Sequence, residues 1–573
     1  MLEVVVGIDF GTSGTGYAFS YNNSNDIIIG NFPGQGVDIK VPSEIILDSK
    51  LKKVLAFGLQ CKKYIQCSNL KKGELYFKAI KMNLYDKNFK IKAFNSSEEY
   101  DLIDIIVKIL EHVKEVAINQ IHNGKSYIKE NQIKWVVTVP TIWDYNQRGI
   151  MVKACEKAGL FNENTNDINC LALEAEAASL NCSQDKTIDL NYIENGKSFI
   201  ICDLGGGTGD IVTQKKENNK LIEIYKPIGG NYGSDEIDKL MLERVINKIF
   251  GFKDFNELQK KNEEIKDKFE TKILLIEWIK FLEEIRDKKK ITKDLENETF
   301  TLNCQIFENF IENNLQDLVN NYNNSCQENW KISISSKWWL IIPYKIFFDL
   351  ISEHAKKISK LLKKIVNTVP DIKCILYVGG YSSNEILIDE IKNNFNNITH
   401  LKPARPIIAI IKGAVLFGLK PEIVKIRKAP YTIGFNCDLN WDERIHAGKG
   451  RKIFNIFHKT YKCLNSFDKF IEVEQDIPEG LKISRNFIAL NSRYIYLKFF
   501  KTLKKNPILY TEDGVEILGE DKLDLGKEYP LEERSFKVTL IFKGTYVDAK
   551  CIHNKSGKEI SFKLYFNKNN KYN

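Results

Sequence analysis

The sequence lacks the long apolar runs and the amino-terminal pattern that mark membrane and secreted proteins. No uncharged apolar stretch among its 573 residues reaches the length of a membrane span, and the run that begins at Trp338 is soon interrupted by Pro343 and Lys345. The chain enters an apolar strand pattern at Leu2 without the basic and apolar regions of a secretory signal. These absences predict a cytoplasmic protein without a membrane span.

Patterns typical of disulfides, zinc sites and nucleic-acid binding are also absent. The 12 cysteines are scattered without a C-x-x-C pair, and no histidine stands at the spacing of a zinc ligand. Reduced, mostly buried thiols are the simplest account of them. The formal net charge of +9 arises from 84 basic and 75 acidic residues that are interspersed along the chain, which favours a solvated surface and no nucleic-acid partner.

The sequence does contain a run of glycines between two carboxylates. In ICDLGGGTGDIVTQ, residues 201–214, the apolar stretches on both sides have the composition of strands, so the glycines are predicted to form a β-hairpin turn. Walker and dinucleotide-binding loops are excluded because both need a helix after the glycines. Such a turn exposes backbone N–H groups that suit a phosphate. The alternative for this segment alone is an ordinary glycine-rich hairpin.

The same arrangement occurs near the amino terminus, in VVVGIDFGTSGTGYAFSY from Val4. Asp9 follows an apolar strand pattern and precedes Gly11, as Asp203 precedes Gly205. The repetition predicts two copies of one α/β unit that face a shared cleft. Carboxylates on both sides would repel a phosphate chain unless Mg²⁺ and its waters lay between them. The pair therefore predicts a nucleoside triphosphate with Mg²⁺.

Strand and helix patterns alternate along the first 420 residues. Apolar residues recur at helical spacing over Tyr100–Gln120, and Asp144 with Gln147 forms a capping box before the next helix. The stretch from about 235 to 367 is mainly helical by pattern, and short β patterns dominate beyond residue 420. We therefore predict an α/β fold with a sheet covered by helices, followed by a smaller β-rich domain.

A further strand pattern, Cys374–Val378, ends at the glycine pair Gly379–Gly380. Ser382, with Glu385 three residues later, is predicted to cap the helix that follows. A strand-to-helix corner is the place where open α/β sheets bind ligands. In a chain with two Asp-Gly hairpins, this corner predicts a third wall for the nucleotide.

A series of motifs over roughly residues 1–435 resembles motifs of the actin-like ATPase superfamily, in the expected order. VVVGIDFGTSGTGYAF, FIICDLGGGTGDIV and ILYVGGYSS are similar to its first phosphate, second phosphate and adenosine motifs. WVVTVPTIWDYNQRGIMVKACEKAGL resembles a strand-and-helix signature of the seventy-kilodalton heat-shock chaperones. LALEAEAASL, ARPIIAIIKGAVLFGL and APYTIGF resemble most the divergent branch called heat-shock seventy-kilodalton protein twelve-like.

The resemblance implies a two-lobed actin-like ATPase fold of duplicated ribonuclease H-like units with central mixed sheets. It also implies ATP or ADP and Mg²⁺ as cofactors. It implies a first ATPase lobe over 1–182 and a second over 183–420, with a helical insertion around 235–367. Residues 421–573 would form the β-rich carboxyl-terminal domain, a reduced domain for binding a substrate or partner.

The resemblance also implies the residues of the site. The catalytic residues would be Asp9, Glu174, Asp203, Thr208, Asp210 and either Lys78 or Lys81. The nucleotide contacts would be Gly11, Thr12, Ser13, Gly205, Gly206, Gly207, Gly230, Glu283, Arg286, Gly379 and Gly380. Asp9 and Asp203 would bind Mg²⁺ through its waters, while Thr208 and Asp210 would orient the attacking water.

Several positions depart from the family pattern. Ala175 follows Glu174 where a proline is usual, Glu176 stands where a threonine is usual, and Ser383 stands where an arginine stacks on adenine. The connection KPEIVKIRKAP is not acidic and leucine-rich, and no long helical lid is evident. These departures favour nucleotide binding over classical chaperone cycling.

Three functional hypotheses follow. The first is a chaperone-like protein of the stress response, in which slow Mg²⁺-dependent ATP hydrolysis is coupled to binding a protein client or signalling partner through the carboxyl-terminal domain, with room for co-chaperones. The second is a nucleotide-binding pseudo-ATPase scaffold. The third, less favoured, is a sugar-kinase-like phosphotransferase, for which the sequence offers no motif.

Overall fold

The computed structural model describes residues 2–564 apart from residues 23, 25, 35, 37, 38, 68, 69, 87, 126, 162–169, 266–270 and 456–458. The chain has a mixed α/β structure with several sheets. Up to residue 182 the elements are β1 (Val4–Phe10), β2 (Gly14–Tyr21), β3 (Ile28–Ile29), β4 (Val41–Pro42), β5 (Ile45–Leu47), β6 (Val54–Phe57), α1 (Leu59–Gln66), β7 (Leu75–Phe77), β8 (Lys90–Lys92), β9 (Glu99–Asp101), α2 (Leu102–Gly124), β10 (Ile133–Val139), α3 (Tyr145–Lys157), β11 (Cys170–Leu173) and α4 (Glu174–Cys182).

The remaining elements fall into a mixed section and a β-rich section. From residue 183 to 420 they are β12 (Ser198–Leu204), β13 (Gly209–Glu217), β14 (Lys220–Gly230), α5 (Asp235–Met241), α6 (Asn247–Phe250), α7 (Phe255–Glu264), α8 (Thr271–Lys288), β15 (Thr299–Asn303), α9 (Leu315–Ser325), β16 (Ser333–Ser336), β17 (Trp339–Pro343), α10 (Lys345–Thr368), β18 (Ile372–Val378), α11 (Glu385–Lys392), β19 (Thr399–Leu401) and α12 (Ala409–Leu419). Beyond residue 420 they are β20 (Val424–Lys428), β21 (Thr432–Asn440), α13 (Glu443–His446), β22 (Arg451–Asn455), β23 (Thr460–Ile471), β24 (Asp476–Pro478), β25 (Lys482–Ile488), β26 (Tyr494–Thr502), β27 (Val515–Asp524), β28 (Ser535–Lys543), β29 (Tyr546–His553) and β30 (Glu559–Lys563).

Both predicted glycine hairpins are confirmed, and each lies inside a large sheet. The first sheet has the order β11-β10-β1-β2-β3, with β4 also paired to β2, and the second has the order β19-β18-β12-β13-β14-β20-β24. In each sheet the hairpin is antiparallel and its first strand pairs with a parallel neighbour, β10 or β18. Every residue of β1 and β12 is buried, as expected for strands covered on both faces. The polar residues near the carboxyl ends of β1 and β12 lie at the edges of the two sheets, where the hairpins turn.

Helices α4 and α12 cross at very short distance because small residues line the crossing. A Cβ atom added to Gly413 of α12 would lie 1.7 Å from the carbonyl oxygen of Ala177 in α4. A Cβ atom on Gly7 of β1 would likewise lie 2.8 Å from the Cβ atom of Ala414. These contacts are too short for any side chain, so the glycines allow α12 to pack between α4 and β1. This packing fixes the position of the first turn of α4.

The segment from 235 to 367 is not helical throughout. Between α8 and α10 it also contains a three-stranded sheet of order β15-β17-β16. A π-helical turn, Leu242–Ile246, joins α5 to α6. The alternating burial of β15, with Phe300 and Leu302 inside, is the two-residue period of a strand, which the helical interpretation of this segment overlooked.

The β-rich section contains two further sheets that share one core. Their strand orders are β22-β23-β21-β26-β27 and β25-β28-β29-β30. Inward side chains of both sheets, among them Phe435, Phe499 and Val538, belong to the same buried cluster. Tyr145, the first residue of α3, also lies in this cluster, so α3 packs against the section beyond residue 420. Among the described residues, no helix is both long enough and apolar enough to cross a lipid bilayer.

Candidate functional site

The tips of the two glycine hairpins touch each other. Gly11 N donates to Gly14 O at 3.1 Å in the first hairpin, and Gly205 N donates to Thr208 O at 3.0 Å in the second. A Cβ atom on Gly206 would lie only 1.7 Å from Ser13 Oγ. Glycine at this position is what permits the approach, so the predicted phosphate loops do face one another.

The remaining predicted loop residues lie at this junction. A Cβ atom on Gly207 would lie 2.6 Å from Thr12 Cγ2. Ser13 Oγ donates to Asp235 Oδ2 at 2.7 Å, which joins the first hairpin to the start of α5. Gly230, at the end of β14, lies against the ring of Tyr232, to which its added Cβ would come within 3.1 Å.

Asp9 and Asp203 are the last residues but one of β1 and β12, and both are buried. Asp9 has two partners: Thr138 Oγ1 donates to its Oδ1 at 3.4 Å, and Lys40 Nζ lies 2.5 Å from its Oδ2. Asp203 Oδ1, in contrast, is buried without a hydrogen-bond partner among the described residues. Gly379 has φ +82° and packs so closely that an added Cβ would lie 2.5 Å from Asp203 Oδ1. The predicted adenosine corner therefore adjoins the second phosphate loop.

Asp210 and Glu174 complete a cluster of four buried carboxylates. Asp210 Oδ2 accepts from Thr141 N at 2.7 Å, while its Oδ1 has no partner among the described residues. Burial, together with repulsion from Glu174, raises the pKa of Asp210 to about 7. Burial and repulsion from Glu174, Asp210 and Asp9 raise the pKa of Asp203 well above its usual range. A cation bound among these carboxylates would relieve this repulsion and favour their ionised forms.

The structure separates the two alternative lysines. Lys81 lies in a 3-10 helix, Ile80–Tyr85, and its Nζ is 2.5 Å from Oε1 of Glu174, the first residue of α4. Lys78 instead faces a cavity that Glu44, Tyr76, Glu283 and Arg286 also line. Burial lowers the pKa of Lys78 to about 8. Of these two lysines, only Lys81 contacts the carboxylate cluster in the described structure.

Glu283 and Arg286 lie on α8 and face the first 182 residues across that cavity. Lys62 Nζ is 2.5 Å from Glu283 Oε2, and Arg286 Nε is 3.6 Å from Asp238 Oδ2. Gly380 is exposed, and nothing nearer than Ile407, at 3.9 Å, would meet a Cβ atom added to it. Glu283 and Arg286 therefore share a polar cavity with Lys78.

Sequence reasoning missed Lys40, whose ammonium lies inside the carboxylate cluster. Burial alone would lower the pKa of Lys40, but attraction to Asp9, and more weakly to Asp203 and Glu174, outweighs it and the pKa is raised. No sequence signal pointed to this residue, because a single lysine before β4 is ordinary in composition. Only the pairing of β4 with β2 brings it to Asp9.

A hydrated Mg²⁺ held by phosphates would fit this donor set. No group of three or more His, Cys, Asp or Glu side chains in the described part of the chain could enclose a bare metal ion. Mg²⁺ commonly keeps several waters and uses one or two carboxylates together with substrate phosphates. The unpartnered oxygens of Asp203 and Asp210 are acceptors for such waters. The site suits a metal that arrives with a phosphate ligand.

A second buried ionic group lies next to the carboxylate cluster. Glu176, two residues after Glu174, accepts from Arg427 Nε at 2.6 Å and from Arg427 Nη2 at 2.9 Å. Arg427 also donates to Glu479 Oε2 at 3.0 Å. The unusual glutamate of α4 and the basic segment after residue 420 are thus direct partners, which neither pattern alone predicted.

Glu223 of β14, next to this pair, should make stability depend on pH. Burial and repulsion from Glu176 raise the pKa of Glu223 to about 8, whereas an unfolded chain has a value of about 4.3. The folded state therefore favours the protonated form, and this stabilisation is full below pH ~4.3 and is lost as pH rises to about 8. Glu223→Gln should remove this loss of stability. The free energy of unfolding of the variant minus that of wild type, measured by urea denaturation, should therefore be about 2–4 kcal/mol higher at pH 8.5 than at pH 5.

The matched control for Glu223→Gln is Glu328→Gln, because the side chain of Glu328 is 87% exposed. Glu328→Gln should change the free energy of unfolding by the same amount at pH 5 and at pH 8.5. A Glu223→Gln curve parallel to wild type from pH 5 to 8.5 would show that Glu223 is ionised in the folded protein throughout that range.

Comparison with known proteins finds heat shock 70 kDa proteins and a DnaK chaperone among the relatives of this chain. No protein-family model matches the chain. It is 24% identical to heat shock 70 kDa protein 12A of Homo sapiens over 98% of this chain and 91% of that protein. It is 22% identical to heat shock 70 kDa protein 12B of Homo sapiens over 91% and 84%. It is 24% identical to chaperone protein DnaK of Mycoplasmopsis pulmonis over 75% and 62%. The resemblance to the twelve-like branch is confirmed.

Proposed function

We propose that this chain, which resembles heat shock 70 kDa protein 12A and 12B along most of its length, is a chaperone-like protein that binds ATP or ADP with Mg²⁺ and hydrolyses ATP slowly. The observation that carries the proposal is the junction of two Asp-Gly hairpins above a cluster of buried carboxylates, two of which keep an unpartnered oxygen. A triphosphate with its metal supplies both the anion that the loop N–H groups attract and the cation that the carboxylates attract.

The proposed architecture follows the two large sheets. Residues 1–182 and 183–420 would each be an ATPase lobe, and residues 421–573 a carboxyl-terminal partner-binding domain. Because the hairpin tips touch, with Ser13 against Gly206, the lobes must separate slightly for phosphates to enter. The crossing helices α4 and α12 pack in one buried cluster with residues of both large sheets, and they would serve as the hinge region.

In this proposal each residue of the cluster has a defined task. The N–H groups after Asp9 and Asp203 bind the phosphates, and the bound metal would neutralise charge on the transferred phosphoryl group. Glu174, Thr208 and Asp210 orient the attacking water. Lys81, held by Glu174, lies closest to this chemistry and is the better candidate of the two lysines.

The proposed partner is a protein, bound through the section beyond residue 420 and sensitive to the nucleotide. Two ion pairs join α3 to that section: Lys501 Nζ to Asp144 Oδ2 and Lys563 Nζ to Glu156 Oε1, both at 2.6 Å. Because α3 follows Thr141, which donates to Asp210, a change at the cluster has a short covalent route to these contacts. As part of the same proposal the protein acts in the cytoplasm, where its 12 free cysteines would stay reduced.

A nucleotide-binding scaffold without chaperone cycling is the second candidate. Ser383 is exposed, in the place where the resemblance implies an adenine-stacking arginine. Without that contact the base would be bound less tightly than in the site that the resemblance implies. This departure favours a scaffold that binds nucleotide without a chaperone cycle. Steady-state hydrolysis by a protein that binds ATP separates the two candidates.

The test is isothermal titration of the protein with ATP and ADP, with and without Mg²⁺. Asp203→Asn removes one charge at nearly constant shape, and it should weaken Mg²⁺-nucleotide binding at least about tenfold. The control is Asp371→Asn, because the side chain of Asp371 is 80% exposed and pairs with the exposed Lys373. Nucleotide binding that is equal in wild type and Asp203→Asn, or absent from wild type, would exclude the proposed site.

A further inference from the structure

The Lys40 ammonium forms an ion pair with the Asp9 carboxylate inside the carboxylate cluster. Its Nζ is 2.5 Å from Asp9 Oδ2, and its side chain is 15% exposed while that of Asp9 is 2% exposed. A metal ion that approaches Asp9, directly or through water, meets this ammonium. Among the remaining acids of the cluster, Glu174 pairs with Lys81, and Asp210 is attracted to the same lysine.

Two glycines of β2 make room for the Lys40 side chain. A Cβ atom on Gly14 would lie 3.3 Å from Lys40 Cβ, and one on Gly16 would lie 3.1 Å from Lys40 Cγ. Both distances are shorter than ordinary packing contacts, so a side chain at either position would push the lysine stem away. The stem therefore crosses β2 in a defined path that ends at Asp9.

We propose that Lys40 keeps free divalent cations out of the nucleotide-free cleft by pairing with Asp9, so that the metal enters together with the phosphates of a nucleotide. The inference rests on the proposed nucleotide site. An ion pair between buried groups competes directly with any second cation for the same oxygen. Phosphate oxygens of a bound nucleotide would give the ammonium an alternative partner, which would free Asp9 for the waters of the metal.

Titration of the nucleotide-free protein with Mn²⁺, followed by the electron paramagnetic resonance signal of free Mn²⁺, tests this inference. Lys40→Met keeps the stem and removes the charge, and we expect it to bind Mn²⁺ about tenfold more tightly than wild type, or ~1.4 kcal/mol. Lys40→Gln is a second neutral variant in case the methionine variant does not fold. Lys40→Arg keeps the charge and should bind Mn²⁺ as weakly as wild type.

The matched control is Lys90→Met, because Lys90 makes an ion pair of similar length, 2.6 Å to Asp101, on the surface. It should leave Mn²⁺ binding unchanged. Equal Mn²⁺ affinity in wild type and both neutral variants would overturn the inference, as would an arginine variant that binds like the neutral ones. Failure of the proposed function is seen separately, as wild type that does not bind Mg²⁺-ATP whatever its Mn²⁺ affinity.

Discussion

Lys81→Met is expected to lower the free energy of unfolding of the nucleotide-free protein by about 3–5 kcal/mol, because it leaves a buried carboxylate without its cation. The Lys81 side chain is 3% exposed, and that of Glu174 is 8% exposed. Burial already raises the pKa of Glu174, and the nearby Asp9 raises it further. Urea denaturation measures the loss. The double variant Lys81→Met/Glu174→Gln should recover part of it, because no unpaired charge then remains.

The same variant should lower the rate of ATP hydrolysis about 100-fold, the usual effect of removing one group that stabilises developing charge. Lys78→Met is the matched control, only three positions away in the same segment. Its ammonium lies 3.7 Å from the centre of the Phe94 ring and does not contact Glu174 in the described structure, so hydrolysis should change little. If Lys78→Met abolished hydrolysis and Lys81→Met did not, the catalytic lysine would be Lys78.

Local patterns predicted the local parts of this molecule well. The hairpins of Asp9 and Asp203 follow from glycines between two apolar strands. The capping box of α3 is also confirmed: Asp144 Oδ1 accepts from Gln147 N at 3.2 Å, and Gln147 Oε1 accepts from Asp144 N at 2.8 Å. Such signals need only neighbours within a few residues. The same rules predicted strands beyond residue 420, where β21, β26 and β28 lie.

One capping prediction was wrong for an equally local reason. Ser382 does not cap α11, because Tyr381–Ser383 forms a 3-10 turn and the helix begins two residues later. Asn384 is the cap, and its Oδ1 accepts from Leu387 N at 3.0 Å. Ser382 Oγ instead donates to Gly379 O at 2.7 Å, which holds the glycine corner beside Asp203. Serine and asparagine cap equally well, so the pattern could not choose between them.

The ionic partners of the site were beyond sequence reasoning. Lys40 and Asp9 are 31 positions apart, Lys81 and Glu174 are 93 apart, and Arg427 and Glu176 are 251 apart. Periodicity indicates which residues share a face of one helix or strand. It does not indicate which residues of distant segments are brought into contact by the order of strands in a sheet. Asp9, Asp203 and Asp210 could be found because each lies in a strand that flanks a glycine loop. Their cations sit in segments with no such signal.

The pair of Glu176 and Arg427 should be strongly coupled. Arg427→Met leaves Glu176 buried without its cation, and Glu176→Gln leaves the guanidinium with only the half-exposed Glu479, so each variant should lower the free energy of unfolding by about 3–5 kcal/mol. The double variant should cost less than the sum of the two by about 2 kcal/mol or more, because neither charge is then left unpaired. Urea denaturation of the four proteins gives the coupling energy.

The control cycle uses Lys62 and Glu283, whose side chains are 46% and 32% exposed and whose coupling should be below about 1 kcal/mol. Hydrogen exchange shows where the Arg427 variant is weakened: exchange should rise in β20 and in β24, which pairs with it. Additive single variants would mean that Arg427 has another acceptor of equal strength. Faster exchange in α4 as well would mean that this ion pair holds the first turn of that helix, and with it Glu174, in place.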